Sequence, residues 1–312
     1  MLPFVRMFDY GNVAPVYENT GKYELQTLTG SLPLSRNAPA LCLGNGDIYG
    51  YGGIGPGGTA GSTRTDLWRY NYWDNSYWII SSNLDGQRLG AGIGYYKHVL
   101  YFMGYNYNSS NSYGSFMTYD LSSGVKKNIS GDTGRPTSFA YYEMELVDDT
   151  FYVTHSLSSD VYTYTPDTNT WVKRKGVIGF NKASGESKMC YMNGKLYIIG
   201  RLYNNFLVQY DISTGSTVNL PAPPNVTNES QVSSFYIRAV QDELYGFVQS
   251  TVYKFNFNTN QWNLVNDSNN LSIGTASYIN APIGVDKTSV YCFNDSAGAD
   301  AGNVSTRVYK IV

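Results

Sequence analysis

The chain has 312 residues and a net charge of −2, and its aromatic residues are as frequent as its charged residues, at 15% each. This aromatic content excludes a disordered chain, and the balanced charge gives no indication of nucleic-acid or anionic-membrane binding. The 30 Tyr and 32 Gly residues disfavour helices and favour strands joined by tight turns. No apolar run approaches the roughly 18 residues of a membrane-spanning helix, so we expect no membrane insertion.

The N-terminal segment begins with Met1–Asp9, which lacks a basic region followed by an apolar core. We therefore expect no secretory signal peptide. Residues 1–18 are predicted to be an N-terminal extension, and residues 19–312 a single domain. The turn at Asn19-Thr20-Gly21 and the strand-like segment Lys22–Thr27 open that domain.

A tripeptide made of any residue, an apolar residue and Tyr recurs six times, at intervals of 45–52 residues. The six copies are Asp47–Tyr49, Val99–Tyr101, Thr150–Tyr152, Lys195–Tyr197, Glu243–Tyr245 and Ser289–Tyr291. Most copies follow a turn signal such as Asn193-Gly194. Each is therefore predicted to be the second strand of a hairpin.

A second strand-like segment, which ends in an aromatic residue, follows each tripeptide. These segments are Leu67–Tyr70, Phe116–Tyr119, Val161–Tyr164, Leu207–Tyr210, Val252–Phe255 and Thr306–Tyr309. Three of them lead through a short polar turn to a Trp, at Trp78, Trp171 and Trp262. Such turns predict a further hairpin in each repeat.

Each repeat therefore contains four short strands, named a to d in chain order. Four-stranded sheets that recur every 40–50 residues predict a β-propeller, because radial packing buries both faces of each sheet. Six repeats predict six blades, but the last repeat reaches Val312 before a fourth strand. We expect residues 21–28, approximately, to complete blade six by pairing with the strand around Arg307–Ile311, so that an N-terminal strand closes the ring.

The repeat resembles the kelch motif, in which an apolar-Tyr-apolar strand ends in Gly-Gly and is followed by a Tyr-containing strand and a Trp. The first repeat fits best, with Tyr49, Gly52-Gly53, Tyr70 and Trp78. The resemblance covers about residues 30–312 and implies an all-β, six-bladed propeller of four-stranded kelch-like blades. The Gly pair is complete only in the first repeat, and no kelch subfamily is indicated. Kelch propellers include both enzymes and protein-binding platforms, so fold alone does not assign function.

Residues able to support catalysis or metal binding are few. His98 lies in a predicted turn and His155 ends a predicted strand, and we interpret both as surface or packing residues. Cys42, Cys190 and Cys292 lie far apart in apolar strands and are predicted to be buried thiols. We expect no catalytic residue, no metal site and no cofactor. A carbohydrate-active site assembled from several blades stays open, because spacing along the chain cannot reveal it.

The connections between strands b and c are longest in repeats six, one and two, which are neighbours in the predicted ring. Their sequences are rich in Tyr, Ser, Gly and Asn, a composition typical of adaptable binding loops. Arg64, Tyr105, Tyr107 and Tyr113 in these loops are candidate partner-binding residues. Alternatively, the loops are tolerated surface insertions.

An arginine precedes strand a in the first three repeats, at Arg36, Arg88 and Arg135. In a meandering blade the d–a and b–c connections lie on the same face. These arginines are therefore predicted to lie near one mouth of the central channel, on the face of the long loops. Guanidinium groups suit acidic groups of a partner. Alternatively, they pair with backbone carbonyls between blades, since kelch repeats often have an Arg here.

A non-enzymatic binding or assembly module is the function that these features favour. The Tyr-, Asn-, Ser- and Gly-rich composition is similar to that of tailed-phage virion proteins. That similarity implies a virion structural or host-attachment component, whose partners are other virion proteins or a host-surface ligand. The alternatives are a carbohydrate-active propeller enzyme (a sugar isomerase or hydrolase), a lectin-like carbohydrate-binding propeller, and a cytoplasmic kelch adaptor.

Overall fold

The described part of the chain consists almost entirely of short strands and tight turns. The computed structural model describes residues 23–27, 40–52, 65–74, 76–84, 88–106, 115–129, 133–136, 142–155, 158–174, 176, 188–199, 207–224, 226, 235–240, 242–248, 251–265, 282–284, 289–295 and 304–311. The predicted N-terminal extension, residues 1–18, lies outside these residues.

The described residues form six four-stranded antiparallel sheets. In chain order the strands are β1 (Tyr23–Thr27), β2 (Ala40–Gly44), β3 (Asp47–Tyr51), β4 (Leu67–Asn71), β5 (Ser76–Ser81), β6 (Arg88–Tyr96), β7 (Val99–Asn106), β8 (Ser115–Asp120), β9 (Lys126–Ile129), β10 (Tyr142–Val147), β11 (Thr150–His155), β12 (Val161–Thr165), β13 (Thr170–Arg174), β14 (Lys188–Met192), β15 (Lys195–Ile199), β16 (Leu207–Asp211), β17 (Thr217–Leu220), β18 (Phe235–Val240), β19 (Glu243–Val248), β20 (Thr251–Asn256), β21 (Gln261–Leu264), β22 (Pro282–Gly284), β23 (Ser289–Asp295) and β24 (Val304–Ile311). A short 3₁₀ turn, Pro166–Thr168, joins β12 to β13.

Five of the sheets follow one another along the chain and form the blades of a β-propeller. Blades one to five are β2–β5, β6–β9, β10–β13, β14–β17 and β18–β21, each hydrogen-bonded in chain order. The inner strands β2, β6, β10, β14 and β18 lie beside one another in that order. The predicted all-β propeller with four-stranded antiparallel blades is therefore confirmed.

The remaining sheet joins the two ends of the described chain. Its strands are arranged in the order β1-β24-β23-β22. Strand β1 pairs with β24 from Tyr23 opposite Ile311 to Thr27 opposite Arg307, which is the pairing that the sequence predicted for this segment. The inner strand β22 lies next to β18 on one side and β2 on the other.

The turns between strands a and b explain why Asn-Gly pairs mark the repeats. Asn45 and Gly46 have φ of 50° and 79°, and Asn193 and Gly194 have φ of 51° and 75°. Two successive residues with positive φ match the twist of a two-residue hairpin, and Asn and Gly adopt that conformation at the lowest cost.

Aromatic side chains from strands b and c fill the wedges between blades. Tyr49, Tyr101, Tyr152, Tyr197 and Tyr245 on the b strands are only 1–8% exposed. The clusters that contain the first four of these Tyr residues each join two successive blades, so the core of the described blades lies between the sheets. Burial of such large rings is the main stabilising contribution of each interface.

Two glycines in β6 let blade three approach blade two closely. A Cβ atom built on Gly94 would lie 2.3 Å from Cε1 of Phe151, and one on Gly92 would lie 2.7 Å from Cγ of Met144. Phe151 and Met144 belong to blade three, so their side chains pack directly on the backbone of β6. The Gly-rich sequence of this strand therefore reflects packing between blades.

Trp78 of the first repeat does not occupy the same strand position as Trp171 and Trp262, although the repeat pattern aligned the three residues. Trp171 and Trp262 lie opposite the c-strand residues Tyr164 and Phe255. In blade one it is Tyr77 that lies opposite Tyr70, and Trp78 lies opposite Arg69. The turn before Trp78 has one extra residue, and a shift of one residue in a strand moves a side chain to the opposite face. Trp78 is accordingly 41% exposed, whereas Trp171 is 6% exposed.

Strand β7 is longer than the sequence predicted. It continues to Asn106, because β6 is nine residues long and pairs Leu89 with Tyr105 and Arg88 with Asn106. Tyr105 therefore lies in a strand and not in the following loop, which corrects the predicted loop boundary.

Candidate functional site

Strands b end and strands a begin at one face, here called the b–c face, and of the residues that the sequence singled out the structure describes Arg88, Tyr105 and Arg135. Arg88 is the first residue of β6 and lies opposite Asn106, one residue from Tyr105. The structure thus brings the backbones of Arg88 and Tyr105 together at the end of blade two. Arg36, Arg64, Tyr107 and Tyr113 lie outside the described residues.

Arg135 lies in the connection between β9 and β10 and is partly buried. Its Nη1 donates a hydrogen bond to the backbone carbonyl of Ile129, at 2.9 Å. Ile129 is the last residue of β9, so this contact fixes the connection that leads from blade two to blade three. For Arg135 this contact agrees with the alternative interpretation of the arginines, in which they pair with backbone carbonyls.

A second site, which the sequence analysis missed, lies on the inner strands of blades three, four and five. We call it the inner-strand cluster: Glu143 and Glu145 of β10, Lys188 of β14, and Tyr236 and Arg238 of β18. In a strand, residues two apart share a face, so the two glutamates project from the same face of β10. Four charged residues, two of each sign, thus come from three successive blades.

Arg238 connects the three strands. Its Nη1 donates hydrogen bonds to the carbonyls of Met189, at 2.9 Å, and Ile237, at 3.1 Å. Its Nη2 lies 3.7 Å from Oε1 of Glu143. A guanidinium that bonds β14 and β18 and faces a carboxylate on β10 is held in one orientation.

Lys188 is the most buried charged residue of the cluster, at 4% exposure. Its Nζ lies 3.3 Å from the ring centroid of Tyr236, a cation–π contact between blades four and five. Lys188 of blade four is thus held against an aromatic ring of blade five.

Glu145 changes its protonation near neutral pH. Burial raises its pKa to about 7, against the opposing effects of the Arg238 charge and a backbone hydrogen bond from Tyr191. At neutral pH the carboxyl group is therefore present in both forms and can donate as well as accept a proton. A group of this kind suits acid–base work or the binding of hydroxyl groups.

Sequence reasoning missed the cluster because its members are more than 90 residues apart along the chain, from Glu143 to Arg238. A signal was present in the strand patterns. Three inner strands that bury their apolar residues carry charged residues at Glu143, Glu145, Lys188 and Arg238. A charge in a buried strand of a propeller has to be paired, so such positions indicate a site.

His155 is the other buried ionisable group of note, at 3% exposure. Its ring lies against the rings of Tyr142 and Tyr162, with centroids 5.3 Å and 5.7 Å away. Neither ring nitrogen has a hydrogen-bond partner among the described residues. Burial lowers its pKa to about 4, so the imidazole is neutral at physiological pH. His155 is therefore a packing residue, as the sequence predicted, while His98 is exposed in its turn.

Cys42 and Cys190 are buried free thiols, as predicted. Burial raises the pKa of both thiols, which makes them unreactive apolar side chains. Within the described ranges, no three His, Cys, Asp or Glu side chains are grouped in a way that could hold a metal ion. No helix among the described residues has the length and hydropathy needed to cross a membrane.

No protein-family model and no curated protein matches this chain.

Proposed function

We propose that this chain is a kelch-like β-propeller that acts as a non-enzymatic binding and assembly module, as a structural or host-attachment component of a phage virion. The observation that carries the proposal is the arrangement of the blades. Every described blade directs its b–c and d–a connections to one face, and the strand ends that carry Arg88 and Tyr105 lie at that face in blade two. Loops on a rigid scaffold are the usual site of binding.

The propeller of this proposal has six blades. The sheet of β1, β22, β23 and β24 is its sixth blade, and β1 closes the ring; residues 19–312 form one domain that follows an extension of residues 1–18. The position of β22 between β18 and β2 supports this arrangement. Closure by a strand from the opposite end of the chain would make every blade contribute to the stability of the others.

Mass spectrometry and immuno-electron microscopy of purified phage particles test the virion assignment. We expect the chain in stoichiometric amounts in the particle, at one defined position. Absence of the chain from purified particles would rule out the virion assignment and leave the cytoplasmic alternative.

The double variant Arg36→Ala with Arg88→Ala tests the b–c face. We expect it to weaken binding of the virion partner or host-surface ligand while the melting temperature stays nearly unchanged, because arginines that serve a partner contribute little to the stability of the fold. A large fall in melting temperature would show instead that the arginines are structural, as Arg135 is through Ile129.

A carbohydrate-active enzyme is the second candidate, and the inner-strand cluster is the observation that favours it. A carboxyl group whose pKa is raised to about 7, a second carboxyl group and a fixed guanidinium are groups that a sugar hydrolase or isomerase can use. Turnover of glycosides or of free sugars that is lost in Glu145→Gln would support the enzyme over the binding module.

A further inference from the structure

We propose that the inner-strand cluster is a carbohydrate-binding subsite, in which sugar hydroxyl groups bridge the carboxyl groups of Glu143 and Glu145 and the guanidinium of Arg238. This inference goes beyond the proposed function, which assigns partner binding to the b–c face. It places the ligand on the inner strands of blades three to five and not on the long loops.

The geometry provides a site that is oriented before a ligand arrives. Arg238 is fixed by the carbonyls of Met189 and Ile237. The backbone N–H of Tyr191 donates to Glu145 and so orients its carboxyl group. Preorganised polar groups lose little conformational entropy on binding, which matters for sugars because each hydroxyl contact contributes little alone.

The mixture of charges selects hydroxyl groups over ions. The positive charges of Arg238 and Lys188 and the negative charge of Glu143, 3.7 Å from Nη2 of Arg238, offset one another, so the cluster has no strong preference for a metal cation or an anion. A hydroxyl group both donates and accepts, so neighbouring hydroxyls can donate to Glu143 and accept from Arg238 at the same time. A sugar is the common ligand that presents such pairs of hydroxyls.

The cluster retains contact with solvent. The side chains of Glu143 and Arg238 are 24% and 13% exposed, and Glu145 is partly exposed. Cys190 and Tyr236 on the neighbouring strands are only 3% and 4% exposed. Solvent therefore reaches the polar groups and barely reaches these two side chains.

Titration calorimetry with the full chain tests the subsite, with methyl α-glucopyranoside, methyl β-galactopyranoside and N-acetylglucosamine as probes. We expect at least one probe to bind, and Glu143→Gln to bind it about tenfold more weakly, the effect of losing a hydrogen bond to a charged group. Binding should also change between about pH 5.5 and about pH 8.5, because Glu145 titrates in that interval.

Asp167→Asn is the matched control. Asp167 lies in the turn between β12 and β13, outside the cluster, and accepts a hydrogen bond from Lys97 at 2.8 Å in an exposed ion pair between blades two and three. The control should bind the probe as the wild type does.

Failure of all three probes to bind, or equal binding by wild type and Glu143→Gln, would overturn the subsite. Virion analysis is independent of this result, so a chain found in particles that binds no sugar would contradict the subsite alone.

Discussion

The burial of His155 makes the stability of the fold depend on pH in the acid range. Asp160 raises its pKa and Lys173 lowers it, but burial dominates and brings it to about 4. These two charged residues form their own ion pair, at 2.7 Å, so they largely cancel at the imidazole. The ring is therefore an aromatic filler between Tyr142 and Tyr162 that has to stay neutral.

We expect the free energy of unfolding to contain a contribution from His155 that is lost in acid. An unfolded His has a pKa of about 6.5, above the folded value of about 4. The contribution is therefore complete above about pH 6.5 and falls by about 3 kcal/mol as the pH drops to about 4. His155→Phe keeps the aromatic packing and should remove this dependence. Urea unfolding of the wild type and of His155→Phe at about pH 7.5 and about pH 4.5 measures this pH dependence. Parallel pH profiles of the two proteins would contradict the predicted contribution of His155.

Glu145 should act in the opposite direction over nearly the same interval. Its folded pKa of about 7 lies above its ordinary value of 4.5, so its contribution is complete in acid and is lost as the pH rises from about 4.5 to about 7. Partial exposure limits the effect to about 1–2 kcal/mol. Relative to wild type, Glu145→Gln should therefore gain stability between about pH 5 and about pH 8, as measured by urea unfolding.

These two residues oppose one another in the wild-type protein. The two effects together should leave the wild type with a loss of about 1–2 kcal/mol in acid, smaller than the His155 contribution alone, and the single variants should separate the two slopes. A Glu145→Gln profile that follows the wild type throughout would show that Glu145 is ionised in the folded protein, and the acid–base interpretation of the cluster would then be wrong.

At the scale of the strand, the register of the outer strand decides whether a Trp belongs to the core. Trp171 of β13 contacts the rings of Tyr164 in its own blade, at 4.8 Å, and Phe116 in blade two, at 5.1 Å. Trp78 of β5 points to the other face, where the guanidinium of Arg69 lies 4.4 Å from its ring centroid. The same residue type therefore joins two blades in one repeat and covers an arginine in another.

Substitution of these two residues tests this difference. Trp171→Ala should cost about 3–5 kcal/mol, because it opens a cavity between blades two and three. Trp78→Ala should cost about 1 kcal/mol, because it removes only a half-exposed ring and one cation–π contact. Thermal and urea unfolding measure both values. Equal losses would show that Trp78 is a core residue despite its exposure.

For the whole molecule, stability depends on whether the propeller forms a closed ring. Strand β1 supplies the outer strand of the sheet that also contains the last strand, β24. Removal of β1 would expose the edge of β24, the longest strand of that sheet at eight residues. Exposed long edges both destabilise a sheet and promote association.

Deletion of residues 1–28 should therefore lower the melting temperature of the entire domain in a single transition and increase aggregation. Deletion of residues 1–18 alone is the matched control, because it retains β1, and it should melt like the full chain. Calorimetry and light scattering distinguish the outcomes. If the 1–28 deletion melts like the full chain, closure by β1 is wrong.

The strand repeat was readable from the sequence because it depends on local physics. Side chains alternate with a period of two residues, and Asn-Gly pairs adopt positive φ, so the Tyr of strand b and the turn before it recur visibly, as at Asn193-Gly194 and Tyr197. Even the pairing of Tyr23–Thr27 with β24 followed from a missing strand in the last repeat. The high Tyr content is thus largely explained by the wedges between blades.

What only the tertiary structure decided were the relations between blades. Arg238 meets Glu143 across β14, and Gly94 receives Phe151, although nothing in the local sequence links these pairs. The exposure of Trp78 likewise depends on one extra residue in a turn, which reverses the face of the strand. Periodicity determines which side of a strand a residue occupies, whereas radial packing determines which side chains of other blades it contacts. The strand architecture could therefore be predicted from the sequence. The inner-strand cluster could not, because its residues come together only when the blades pack around their axis.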